Sequence, residues 1–185
     1  MLSPSAEWVP KYGDYLYSFA LYRIQDETIA QDLVQEALAA AIKSRDNFKG
    51  KSTEKTWLTS ILKFKILDYL RKKYKEPVME DLAGDRRTPD DQFDVTGHWI
   101  TGPARWKGSP ERILEQKSFM DVVKKCLMTL PQKPATALSM KEIDGEPTEE
   151  ICKVLNITTT NCWVILHRAR ALMRACIEKK WIDVK

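Results

Sequence analysis

Thr148-Glu-Glu-Ile-Cys-Lys-Val-Leu-Asn-Ile-Thr-Thr-Thr-Asn-Cys-Trp-Val-Ile-Leu-His-Arg-Ala-Arg-Ala-Leu-Met-Arg174 reads as helix, tight turn, helix. Ile151, Val154, Leu155, Ile157, Cys162, Ile165, Leu166 and Ala169 have the spacing of a small core between two crossing helices. Cys152 sits where such a turn wants a small residue, and Thr158 or Thr159 can cap the second helix. Thr159, Thr160, Asn161, Trp163, Val164, His167 and Arg168 then face outward from that helix. Short hydroxyls and amides at a helix N-terminus reach base edges or phosphates, and arginines clamp phosphate or guanine. Arg168, Arg170 and Arg174 follow the capped start, so the stretch reads as a DNA-reading unit rather than a helical hairpin with a basic face.

Working outward, helical patterning fills most of the chain. It runs over Tyr12–Ile24 after Trp8, over Ile29 to about Ser44 behind an Asp26 cap, and over 53–75 behind Ser52 or Thr53. The second of these has Ile29, Leu33, Val34, Ala37, Leu38, Ala41 and Ile42 on one stripe and Gln31, Asp32, Gln35 and Glu36 on the other. On residues alone, that polar face is a solvated one. Helices resume over 111–129 and about 134–143. Strand-like alternation is missing, so the fold class is all-α.

Residues 77–110 break every pattern, with Pro77, Gly84, Pro89, Gly97, Gly102, Pro103, Gly108 and Pro110. We read a flexible linker, with Trp99 and Trp106 suggesting that part of it packs on something. Charge follows this division: 13 basic and 10 acidic residues before the linker, 4 and 6 within it, 13 and 10 after it. Two mildly basic blocks around an acidic middle suit two small nucleic-acid modules better than one strongly basic binder. The 185 residues thus divide into domains 1–76 and 111–185.

The third helix and the loop before it carry Phe48, Lys49, Lys51, Ser52, Lys55, Trp57, Lys63, Lys65, Arg71, Lys72, Lys73 and Lys75. Lysines with aromatics beside them suit opened DNA, where bases stack on rings and cations track the backbone. Taken singly, Trp57 reads as core and the lysine run equally as a solvated helix end.

The four cysteines, Cys126, Cys152, Cys162 and Cys176, include no Cys-x-x-Cys pair. They are expected to be structural thiols in a reducing cytoplasm, with no metal site and no cofactor. No signal peptide or membrane-length apolar run is read. The two histidines, His98 and His167, lack a surrounding catalytic motif, so no enzyme is expected.

A resemblance then emerges from an ordered set of motifs. Ala30-Gln-Asp-Leu-Val-Gln-Glu-Ala37, Phe48-Lys-Gly-Lys-Ser52, Thr56-Trp-Leu58 and Asp68-Tyr-Leu-Arg71 come first. Leu130-Pro131, Glu142-Ile-Asp-Gly145, Glu149-Glu-Ile151 and Leu166-His-Arg-Ala-Arg170 follow. Together they resemble the extracytoplasmic-function (group four) sigma factors of bacterial RNA polymerase, over nearly everything except the linker. The resemblance implies that Asp32, Gln35 and Glu36 dock on the clamp coiled coil of core RNA polymerase, with a further contact to its flap. It implies that Phe48 to Lys55 line a pocket for a flipped base of the −10 element, with Lys63, Phe64 and Arg71 along the same strand. It implies that Thr159, Thr160, Asn161, Trp163, Val164, His167 and Arg168 read the −35 duplex. The linker would thread the polymerase towards the RNA exit path, and an anti-sigma partner is implied as well. The chain departs from the family at Phe64, where many members carry Asn, and at Trp163, where Lys or Arg is usual. The rival expectations are a stand-alone helix-turn-helix regulator and, more weakly, a small enzyme using Cys126 or His98.

Overall fold

Local signals place the helix starts. In the computed structural model, which describes residues 2–75 and 117–182, Asp26 accepts from the Ile29 amide at 3.0 Å and opens α2, Glu27–Lys43. Thr53 accepts from the Thr56 amide at 3.1 Å and opens α3, Glu54–Lys73. Each side-chain oxygen satisfies a first-turn N–H that has no partner within its helix. α1, Trp8–Ile24, precedes them and ends on Gln25 in the left-handed region at φ 55°. Gln25 is not a glycine, and its amide still bonds the Leu21 carbonyl at 2.8 Å.

α1, α2 and α3 pack as one unit around Trp8, Leu16, Ala20, Ile24, Ala30, Leu33, Ala37, Ala41, Leu58, Leu62, Ile66 and Leu70. The last four lie four residues apart, one strip down α3. The expected α2 stripe holds except at its edge, where Ile42 is 54% exposed. Trp57, read as core, is half-buried. Arg23 is buried: its guanidinium lies 3.5 Å from the Phe19 ring centroid and donates to the Phe19 carbonyl at 2.7 Å. Cation–π contact and a satisfied N–H make that burial tolerable.

The second unit contains α4, Lys117–Leu127; α5, Gln132–Leu138, running into a π-turn at Ser139–Ile143; most of α6, Thr148–Leu155; and α7, Thr159–Ile177, followed by a π-turn at Glu178–Ile182. Thr158 proves to be the cap of α7, accepting from the Asn161 amide at 3.2 Å. The α6–α7 turn passes through Asn156 at φ 50°, a conformation asparagine tolerates better than most residues. Ile151, Val154, Leu155, Cys162, Ile165, Leu166 and Ala169 are all buried, as the helix-turn-helix core requires, and Ile157 is half-buried.

The described residues contain no strand, in keeping with the all-α expectation. Residues 77–110, with Trp99, Trp106 and His98, lie outside them, as do 111–116, the start of the helix expected over 111–129.

The thiol expectation needs correction. Cys126 and Cys176 form a disulfide across 50 residues of sequence, while Cys152 and Cys162 are free. A search for short Cys spacings misses a pair that only the packing of α4 against α7 makes neighbours.

Candidate nucleic-acid interface

The N-terminal segment is tied to the start of α3 by one carboxylate. Glu54 accepts from the Ser3 amide at 2.6 Å, the Ser3 hydroxyl at 2.8 Å, the Trp8 indole N–H at 3.0 Å and the Tyr12 hydroxyl at 2.8 Å. Lys11 Nζ stands 3.9 Å away, and the Glu54 side chain is only 10% exposed. Burial alone would raise the carboxyl pKa. The hydrogen bonds from Ser3, Tyr12 and Trp8 outweigh it and hold the group at about 2, against an ordinary 4.5. The sequence reading did not single out Glu54. Its only local signal is an acid in a helix first turn, which the helix dipole favours anyway.

This tie fixes an aromatic row beside the loop before α3. Trp8 meets Trp57 edge-on with centroids 6.0 Å apart, and Trp57 meets Phe48 at 5.2 Å. The chain turns at Gly50, φ 68°, where a side chain would be strained. Lys49, Lys51 and Ser52 are exposed on that loop. Lys55 is exposed too, with Nζ 3.6 Å from the Tyr15 ring centroid. Of the predicted base-pocket residues, Phe48 joins the aromatic row, Lys49, Lys51 and Ser52 stand exposed on the loop, and Lys55 lies over Tyr15 instead.

Lys63, Phe64 and Arg71 do not join that group; they continue along α3. Phe64 is 67% exposed, a large apolar ring facing water. Arg71, seven residues on, is about 10 Å further along the same face and pairs with Asp68 at 3.2 Å.

On α2, Asp32, Gln35 and Glu36 are all exposed and share one face. Glu36 is bridged to Lys65 of α3 at 3.1 Å.

In the second unit, Thr160, Trp163, Val164 and His167 form one exposed stripe at helical spacing, with Trp163 53% exposed. Thr159 is exposed beside it, and Asn161 and Arg168 are half-exposed at its edges. The stripe begins at the helix N-terminus, where free amides and the dipole favour phosphate.

Two of the three trailing arginines do not serve this face. Arg170 makes a bidentate pair to Glu142 Oε1 at 2.6 and 3.1 Å, and Arg174 bonds Glu178 at 2.8 Å. The arginine pattern therefore overstated the basic character of α7; only Arg168 lies beside the exposed stripe.

Behind α7 lies an apolar groove of about 470 Å³, lined by Val123, Leu127, Leu138, Ile143, Met173 and Ile177 with those ion pairs at its rim. No cluster among the described residues could hold a metal ion, and no described helix is long and apolar enough to cross a membrane.

Known proteins share both units. Residues 8–76 match the Sigma-70 region 2 family and residues 120–173 match Sigma-70 region 4. A Haemophilus influenzae protein named "Probable RNA polymerase sigma factor" is 36% identical over 167 residues, 89% of this chain and 85% of that one. The "ECF RNA polymerase sigma factor SigX" of Bacillus subtilis is 27% identical over 90% of this chain and 80% of its own length. Sigma factor RpoE, solved with the anti-sigma factor NepR from Bartonella quintana, aligns over 95% of this chain and 97% of its own with a TM-score of 0.45 and 20% identity. None of these similarities points to a stand-alone helix-turn-helix regulator. The chain belongs to the RNA polymerase sigma factors of the extracytoplasmic-function type, the proteins that direct polymerase to specific promoters.

Proposed function

We propose a division of labour within this sigma factor. Residues 1–76 dock on core polymerase through Asp32, Gln35 and Glu36 and hold opened −10 DNA. Residues 111–185 read the −35 duplex, and 77–110 connect them along the polymerase. The observation that carries the reading is the exposed Thr160–Trp163–Val164–His167 stripe on a capped helix N-terminus. Such a stripe presents hydroxyl, indole and imidazole groups to a major groove.

In the first unit, the Phe48–Trp57–Trp8 row with exposed Lys49, Lys51, Ser52 and Lys55 supports a base-capture site. Extruding a base costs a few kcal/mol of stacking, and an aromatic platform offsets part of it. Lys63, Phe64 and Arg71 extend the track for the opened strand. The apolar groove behind α7 supports a contact with the polymerase flap. Family resemblance supports an anti-sigma partner that covers one of these surfaces. The polymerase performs the chemistry, and the sigma factor needs no cofactor. The chain acts in the cytoplasm, where its polymerase and promoters are.

Two assays separate the faces. Anisotropy on −35 duplexes reads α7: Trp163→Ala should weaken binding and Phe64→Ala should not. Permanganate reactivity of −10 thymines in the polymerase complex reads α3: Phe64→Ala should reduce opening. A variant pattern reversed between the assays would overturn the assignment.

A further inference from the structure

The DNA-reading unit holds a covalent clip at the end of its recognition helix farthest from the exposed stripe. Cys126 stands in the last turn of α4 and is fully buried; Cys176 is next to last in α7 and half-exposed. Their bond joins the α4 and α7 walls of the apolar groove. Val123 and Leu127 flank Cys126 on one wall, and Met173 and Ile177 flank Cys176 on the other. A second, non-covalent contact joins α4 to the π-turn after α7, where Phe119 meets Trp181 edge-on at 5.2 Å.

We infer that Cys126–Cys176 is a thiol-exchange site whose substrate is a dithiol reductant, and that the DNA-reading unit has a clipped and an open form. The asymmetry of burial sets the direction of attack. An incoming thiolate reaches Cys176 Sγ and forms a mixed disulfide there. The bond to Cys126 Sγ breaks, and that sulfur leaves as a thiolate and takes a proton. The second thiol of the same dithiol then attacks the incoming sulfur and releases Cys176. The protein disulfide gains two electrons and two protons; the dithiol loses them and closes to its own disulfide. Lys179 and Lys180, exposed just beyond Cys176, favour the approach of a thiolate.

Of the two free cysteines, Cys162 is held out of this exchange. Cys162 is fully buried, and burial together with Cys152 beside it pushes its thiol up to about 11. A protonated, buried thiol is a poor nucleophile, so Cys162 does not attack the clip. Opening it removes the covalent tie between α4 and the end of α7, leaves the Phe119–Trp181 contact to hold them, and loosens the groove. The capped stripe at Thr160–His167 lies at the other end of α7.

The full-length chain, isolated without reductant, tests this by differential alkylation, melting and hydrogen exchange, with dithiothreitol as the probe. Before treatment, Cys152 and Cys162 alkylate on denaturation and Cys126 and Cys176 do not. Dithiothreitol then makes all four alkylatable and lowers the melting temperature of the second unit by about 10 °C. It also speeds exchange at 119–127 and 173–177 at least tenfold, leaving 148–155 little changed. The Cys126→Ala/Cys176→Ala protein starts at the lower melting temperature and ignores dithiothreitol. Cys152→Ala/Cys162→Ala keeps the response. Four alkylatable thiols before treatment would overturn the proposal, as would a wild-type chain whose Cys126 stays protected or whose melting is unmoved by dithiothreitol.

Discussion

The Trp8 indole N–H donates to Glu54 Oε1 at 3.0 Å while the same ring meets Trp57 edge-on at 6.0 Å. One hydrogen bond thus ties the Trp8 end of the aromatic row, in the first turn of α1, to the start of α3. Glu54 satisfies four donors in the first unit, so its loss leaves several of them without an acceptor. Glu54→Ala should cost about 2–4 kcal/mol of stability, at ~1–3 kcal/mol for each buried donor that water does not reach. It should also blunt −10 opening, as read by permanganate. Chemical denaturation gives the first number, and a cost within 0.5 kcal/mol, roughly the range of an ordinary surface change, would contradict the role assigned to this tie.

The same group sets an acid response. Its folded pKa, about 2, lies below the ordinary 4.5, so its stabilisation is fully present above pH 4.5 and is lost as pH falls towards 2. Wild-type stability should therefore fall more steeply over that window than that of Glu54→Gln, which cannot titrate. Parallel pH–stability curves from urea melts would count against the shift.

Sequence legibility tracked the range of each interaction. The Asp26, Thr53 and Thr158 caps bond the amide three residues on, and such local signals mark Asp26 singly and the other two as one of a pair, Ser52 or Thr53 and Thr158 or Thr159. The buried strip on α7 was readable too, because helical spacing is a local property. The partners of Glu54 lie 42 to 51 residues away, and Arg170 and Glu142 lie 28 apart. Cys126 and Cys176 are 50 apart. No pattern in a short window reveals such pairings, which is why Glu54 went unnoticed, the α7 arginines looked more available than they are, and the disulfide was unexpected.

The α7 stripe should divide energetically by position. Trp163→Ala and Thr160→Ala are expected to weaken −35 duplex binding by roughly 5- to 100-fold, the worth of one base contact each. Arg168→Ala should weaken all duplexes similarly and reduce the salt slope by about one. Arg170→Ala should leave DNA binding nearly unchanged, because that side chain is held by Glu142. Anisotropy titrations over a salt series distinguish the three patterns.

The Glu36–Lys65 bridge is exposed, with 59% and 37% of the two side chains accessible, so it is worth little to the fold. Lys65→Ala should change stability by less than ~1 kcal/mol and leave polymerase affinity close to wild type. Asp32→Ala with Glu36→Ala should likewise keep the fold while lowering core affinity at least tenfold. Thermal melts beside a core-polymerase binding titration separate stability from docking.

Run-off transcription reconstituted with core polymerase on genomic promoter fragments is the most direct measurement of the central claim. Transcripts with defined starts should appear only when this chain is added, and Asp32→Ala with Glu36→Ala should suppress them. No promoter-dependent transcript, together with unchanged polymerase binding by that double variant, would contradict the account.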